Sequence, residues 1–519
     1  MYFLVIIAFA LLLAEGMPPP SLCLWTLSLH APARAFGPVG WTVLVAAGAI
    51  VVGGLVGALG NWLTLRRAAE NSDEAFDHAL DWQSRAGLML LGTVGAGLFF
   101  LLIFTPWIPL VRDRWRLGPI PVLGDLLILA PFCLSVLAGW LMLYPAERHI
   151  RAAAMQQRVA DGLAAHPVWG RAGYLAYKLR HQVLIVAAPM LPVLLVKHYL
   201  LQHKTAINSA VGAAWATDAL LGTCVSTLLV FAPVFVRYVW LTRRLPDGEL
   251  RQRLERQCRR INLKYREILV WDSHGLVVNA AVMGFFAPVR YVMLSDGLIE
   301  SMSPRQIEAV FGHEAGHVRH YHLQFFVVFA ALAMMIVGGA LELLVWGADV
   351  DVRRFEGALQ LAAMAGTLLV WGLGFGWVSR NFERQADVFG VRAITGDIES
   401  CTSDCPVHGR AAVGWRGDFM REPALCAAAA SFFGHTLRRI ADLNGIPREA
   451  PSWRHGSIQS RCVLVHRLAE RPGAVARFDR RLFAIKLGMS CATVIGLAIA
   501  AWLYRVDVPI ALLIRSIRH

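Results

Sequence analysis

Residues 303–341 read SPRQIEAVFGHEAGHVRHYHLQFFVVFAALAMMIVGGAL. The stretch opens as a helix. Ser303 suits an N-cap, Pro304 falls at the first helical position, and Gln306 completes a capping box. No breaker follows before Gly338, so the helix is expected to run straight into the apolar residues 323–341. A charge-free run of that order is membrane-length, roughly 20 residues. One short segment therefore couples a histidine-rich helix to a span, and this decides the fold class.

Working outward, similar runs occur at 39–65, 86–111, 219–236, 357–379 and 487–504. Residues 122–144 qualify with one acid, Asp125, and 182–196 reaches span length if Lys197 snorkels. A run at 2–13 lacks a basic leader region and reads as a short first span. The predicted fold is an α-helical polytopic membrane protein with eight or nine transmembrane helices and a small α+β catalytic domain at the membrane surface.

The composition agrees. The 519 residues are 56% hydrophobic and 17% charged, with 50 Lys and Arg against 36 Asp and Glu, a formal charge of +14. Disorder is excluded by the hydrophobicity. Nucleic-acid binding would cluster the basic residues on a polar fold. Here they fall in loops, with Arg66, Arg67, Arg85, Arg148, Arg151 and Arg158 on the same side as the Arg-dense stretches 239–322 and 380–481. That bias places those stretches in the cytoplasm, although Arg112, Arg114 and Arg116 run against it. The expected organisation is a multi-span region 1–238, a catalytic segment 239–322, a span pair 323–379, a second catalytic segment 380–481 and a last span with its tail at 482–519.

Within 239–322, residues 247–261 read as a basic amphipathic helix, with Leu250, Leu254, Cys258 and Ile261 on one face and arginines on the rest. Its expected surroundings are solvent or headgroups. Three short runs, 267–271, 277–283 and 289–294, read as a small sheet.

His313, Glu314 and His317 form an HExxH motif. One helical turn apart, the two imidazoles project from one face and can share a tetrahedral Zn²⁺. Glu314 is then placed to take a proton from water held by the metal, whose pKa the zinc lowers. A second pair, Glu383 and Asp387, supplies a third ligand and a carboxylate to orient a ligand histidine. Taken alone, that pair would read as a solvated acidic face. However, His317 lies about 9 Å before one span and Glu383 about 6 Å beyond the next, opposite-running one, so both sets are expected at the same surface.

These motifs, with NAAVMG at 279–284, LSDGL at 294–298 and SRNFERQAD at 379–387, resemble the integral-membrane zinc metallopeptidases of the CaaX prenyl endopeptidase and HtpX type. The similarity covers 240–395 and resumes at 453–462. It implies a gluzincin site with His313, His317 and Glu383 as ligands to one catalytic zinc and Glu314 as general base and acid. It also implies that Asn279, Ala280, Ala281 and Val282 form an exposed edge that pairs with an extended substrate. The segment HGSIQSR at 455–461 is similar to the family's late His-Pro…Arg segment, with Gly in place of Pro. By that similarity His455 donates to the oxyanion and Arg461 anchors the site; a surface histidine is the plain alternative.

The rest reads blandly. Nine cysteines form no CxxC pair, and none is expected in a disulfide. Cys401, Cys405 and His408 sit in an apparent insertion, 396–425, whose spacing fits no common metal site, so a plain loop is expected. His320 and His322 are expected to point away from the ligands. Asp125 and Asp218 lie near span ends and are left open. The predicted activity is endopeptidase cleavage of unfolded or membrane-tethered peptide substrates, CaaX-prenylated ones among them, in a bacterial inner membrane or its equivalent, with the lipid bilayer as the other partner and no nucleic acid. The alternative is a non-proteolytic zinc-binding transporter, sensor or scaffold, for which ligands would lie at mid-membrane depth.

Overall fold

The computed structural model describes residues 6–7, 10–11 and 30–503, apart from 70–72, 118–119, 121, 161, 276, 349, 397–400, 402–404, 409–423 and 472. The protein is an α-helical polytopic membrane protein with one small mixed sheet. Eight helices among the described residues are long and apolar enough to cross a membrane, matching the eight runs read from the sequence. The ninth run, 2–13, falls largely outside the described residues. The chain divides into two compact units, one of residues 1–240 with Val352–Leu361 and one of Leu241–Asp351 with 362–519.

The first unit contains five of the spans: α1 (His30–Ala68), α2 (Asp73–Phe104), α3 (Leu123–Ala160), α4 (Arg171–Gln202) and α5 (Ala216–Val239). Lipid supplies no hydrophobic drive between helices, so close backbone approach does the work. A Cβ on Gly57 of α1 would sit 2.8 Å from the Gly139 Cα of α3. Asp125 pairs with Arg112 at 3.2 Å and Asp218 with Lys204 at 3.7 Å, so each acid has a basic neighbour.

The second unit carries the chemistry. Its sheet has four strands: β1 (Arg243–Arg244), β2 (Glu267–Trp271), β3 (Ala280–Met283) and β4 (Tyr291–Ser295), in the order β1-β2-β4-β3. β2 runs parallel to β4, and β3 runs antiparallel to it with Ala281 opposite Met293. β3 is thus an edge. The two-residue β1 was too short to show a pattern in the sequence.

Between β1 and β2 lies α6 (Glu249–Arg260). It is not the solvated helix expected. Leu254 and Cys258 enter the core, and Arg251 is buried against Glu255 and Glu267 at 2.9 and 2.7 Å. Arg253 grips Glu308 at 2.9 and 3.1 Å, and Gln257 donates to the Glu308 carbonyl at 3.0 Å. Arg251 and Arg253, which resembled part of a headgroup-facing stripe, are paired with Glu267 and Glu308, distant in sequence, whereas Arg256, Arg259 and Arg260 stay exposed.

Glu308 belongs to α7 (Pro304–Arg319), which opens with the predicted capping box at Ser303 and Gln306. The expected continuity into the membrane fails. Tyr321 takes a left-handed conformation, φ 58°, and a separate helix, α8 (His322–Gly347), forms the span. Tyrosine seldom adopts that conformation, so nothing in the sequence announced the break. The next span, α9 (Leu361–Thr395), passes through a π-helical turn at Trp371–Phe375 and runs unbroken to Thr395. α10 (Ala427–Leu443), α11 (Ile458–Glu470) and α12 (Ala474–Leu503) complete the unit.

Candidate active site

α7 and α9 pack against each other at backbone range. A Cβ on Gly316 would meet the Phe389 Cβ at 3.0 Å and the Ala386 Cα at 3.1 Å, and one on Gly312 would meet the Ala393 Cβ at 2.9 Å. The small residues inside and just before HEAGH therefore set the depth at which the two helices nest. Their ligand-bearing faces then meet.

His313 Nε2 lies 3.3 Å from His317 Nε2, 3.5 Å separates His313 Nε2 from Glu383 Oε2, and 3.6 Å separates His317 Nε2 from Glu383 Oε1. A tetrahedral zinc with bonds of about 2.0–2.1 Å needs ligand edges of about 3.3–3.4 Å. Three protein donors leave a fourth position open, the catalytic form of such a site. The donor set fits zinc.

Each imidazole is held in the tautomer a metal requires. His313 Nδ1 is 2.9 Å from Asp387 Oδ1, an acceptor, so its Nε2 is left bare. Arg461 grips the same carboxylate through Nε at 2.9 Å and Nη2 at 2.5 Å, and its Nη1 lies 3.7 Å from Glu383. Asp387 is fully buried and Arg461 nearly so. Arg461 thus touches both Asp387 and Glu383 from a buried position, in keeping with the anchoring place expected of it.

His317 is held by a residue that sequence reasoning set aside. His322 Nδ1 lies 2.9 Å from His317 Nδ1, and its Nε2 lies 3.0 Å from Gln385 Oε1. Lys486 donates to Gln385 Oε1 at 2.8 Å. Lysine can only donate, which makes that Gln385 atom the oxygen. His322 Nε2 must then carry the hydrogen, its Nδ1 accepts from His317, and His317 Nε2 keeps its lone pair. In one continuous helix, residues five apart would sit about 140° apart around the axis. The turn at Tyr321 brings them together, with His322 buried and stacked on Phe382 at 4.4 Å. His320 lies edge-on to Phe389 at 5.5 Å, and its carbonyl accepts from Lys486 at 2.8 Å. His322 therefore turns toward a candidate ligand, where it was expected to point away, while His320 packs on Phe389. The spacing to His317 was the available signal for His322, masked by the assumption of an unbroken helix.

Electrostatics favour a bound cation. Burial alone would lower His313, yet the Asp387 and Glu383 carboxylates raise it to about 9. A proton there does what a metal would do. His317, desolvated and beside His313, is held down at about 3, neutral and able to ligate. Burial pushes Glu314 up to about 7, well above an ordinary glutamate.

The remaining predicted residues also converge. His455, about half exposed, places Nδ1 2.9 Å from Glu383 Oε1. Asn279 is exposed just before β3, its carbonyl accepting from Ser295 N–H at 3.0 Å and its side chain accepting from Ala280 N–H at 2.9 Å. By strand alternation the Val282 backbone then faces the open edge. Asp296 of the LSDGL motif accepts from the backbone of Ser273, Gly275 and Gly297 at 3.0, 3.0 and 2.8 Å, fixing the loop that leads into this strand.

Together these features define a membrane-spanning protein whose two helices bring His313, His317 and Glu383 together as a group able to hold a metal, beside the HExxH glutamate. Residues 244–399 match the model of peptidase family M48. A CAAX prenyl protease 1 homolog of Arabidopsis thaliana is 28% identical over 196 residues, 34% of this chain and 44% of that protein. A protease HtpX homolog of Aeropyrum pernix is 28% identical over 200 residues, 34% of this chain and 61% of that protein. The similarity thus spans about half the length of these relatives. The crystal structure of S. mikatae Ste24p superposes with a TM-score of 0.45 at 14% identity, covering 82% of this chain and 98% of that one.

Proposed function

We propose that this chain is a membrane-embedded zinc endopeptidase. The observation that carries the reading is the triangle of His313, His317 and Glu383, with edges of 3.3–3.6 Å, next to an intact Glu314 on the helix that packs against an open strand edge. The named relatives, a CAAX prenyl protease and HtpX proteases, support the same reaction class.

Zinc, when bound, supplies a Lewis acid that polarises water and the scissile carbonyl. Glu314 takes the proton of the attacking water. As the C–N bond breaks, the same carboxyl delivers that proton to the leaving amine. His455, held by Glu383 through one ring nitrogen, turns the other toward the developing oxyanion. Asp387 and Arg461 keep His313 in register. An extended substrate lies along β3, donating to and accepting from the outward backbone of Ala280 and Val282. Substrates of this kind are unfolded or membrane-tethered segments, prenylated CaaX peptides included. Arginine bias supports a site on the cytoplasmic side of the membrane, taken here to be a bacterial inner membrane or its equivalent. A transporter or scaffold would have no use for Glu314 beside the ligands.

The test is cleavage of an unstructured, membrane-anchored reporter in proteoliposomes by wild type and Glu314→Gln, with zinc measured in both. Loss of about 10²–10⁴-fold in rate with zinc retained is expected. Undiminished cleavage overturns the assignment.

A further inference from the structure

The loop after α9, read from the sequence as plain, brings four soft metal ligands to one point. Cys401, Cys405, His408 and Cys426 each offer one atom, and these four atoms all lie within 4.8 Å of one another. Cys401 Sγ is 3.5 Å from Cys426 Sγ, and Cys405 Sγ is 3.6 Å from His408 Nδ1. Zinc held by sulfurs at about 2.3 Å and a nitrogen at about 2.0–2.1 Å needs sulfur–sulfur edges near 3.8 Å and sulfur–nitrogen edges near 3.5 Å. The sulfur–nitrogen separation matches its edge, and the sulfur–sulfur one is a little shorter than its own. All three cysteines are free thiols.

We infer that this cluster is a second, structural zinc site of Cys₃His type, separate from the catalytic triangle. Three features of the surroundings match what such a site requires. His408 Nε2 lies 3.0 Å from the Thr395 carbonyl, which takes its hydrogen, so the lone pair of the ring sits on Nδ1, the atom facing Cys405. Cys426 caps α10, its Sγ accepting from Ala429 N–H at 3.4 Å, which fixes the sulfur at the helix start. Cys405 and Cys426 are buried in one apolar cluster with Val388, Val391, Ile394 and Phe433. A single disulfide would leave the third thiol and the imidazole without a role. A metal uses all four.

The position gives the site its purpose. Thr395 ends α9, which carries Glu383 and Asp387; Cys426 begins α10, whose Phe433 ring lies 6.4 Å from that of His313. The metal clasps these two helix ends together and closes the long insertion between them. This inference does not depend on proteolysis, since its readouts are metal and thiols.

Zinc per chain is measured on the full-length protein in detergent for wild type, Cys405→Ser, Cys426→Ser and His313→Ala/His317→Ala. Each cysteine variant is expected to halve the wild-type zinc, and the double histidine variant to remove the other half. Should the cysteine variants fail to fold, cobalt replaces zinc in the wild type and in His313→Ala/His317→Ala. An intense sulfur-to-cobalt charge-transfer band in both supports the site, because a His-His-Glu centre holds no sulfur. Unchanged zinc in Cys405→Ser, absence of that band, iron in place of zinc, or recovery of Cys401 and Cys426 as a disulfide from protein prepared without reductant each overturn it.

Discussion

His322 shows how much of the metal site's quality resides one residue away from the ligands. It presents an acceptor to His317, takes its own orientation from Gln385 and Lys486, and is buried throughout. His322→Ala is expected to weaken zinc at the triangle about 10–100-fold in chelator competition, with the helices intact. Asp387→Asn should act similarly through His313, and it also leaves Arg461 buried beside a neutral partner. Zinc affinity equal to wild type in both variants contradicts this tautomer scheme. The convergence of His313, His317 and Glu383 was legible because i, i+4 spacing on a helix fixes where side chains point. Gln385 and Lys486 were not, since their roles arise from contacts between residues 63 and 101 positions apart with no local pattern.

Elements decide whether the ligands meet. α7 and α9 nest at Gly312 and Gly316, and α6 braces α7 through Arg253 and Gln257 on Glu308. Gly316→Val forces atoms into the Phe389 and Ala386 backbone region, so a loss of about 1–3 kcal/mol in stability is expected, read by thermal unfolding, with zinc content falling alongside. A stable variant with full zinc would show that the helices do not need this contact. On the sheet, the outward backbone of Val282 makes Val282→Pro tolerable for the fold, because proline is accepted at edges. The same substitution removes a donor from an extended substrate. Cleavage should fall while zinc and melting behaviour stay at wild-type levels; retained cleavage would remove β3 from substrate binding. Helix starts and three strands could be read in advance from caps and β-branched runs. The break at Tyr321 could not, and paired arginines on α6 resembled a solvated stripe because their partners are distant in sequence.

For the whole molecule, hydropathy carried the most information: all eight spans of the described residues were visible as apolar runs, one of them holding Asp125 and one needing Lys197 to reach full length. The net charge of +14 bears on orientation instead of on an acidic partner. Glu449, exposed in the second unit, provides a handle. Glu449→Cys is expected to gain reaction with a membrane-impermeant label over wild type only in inverted vesicles, and a gain in intact cells would reverse the proposed sidedness. The division into two units, with every ligand in the second, predicts that metal binding is governed by residues 241–351 and 362–503. The most direct measurement is anomalous diffraction at the zinc edge from crystals of the full-length protein. A peak about 2.0–2.2 Å from His313 Nε2, His317 Nε2 and a Glu383 oxygen, lost in Glu383→Ala, is the predicted result. A zinc bound by the two histidines with Glu383 turned away, or no zinc at this triangle, would contradict it.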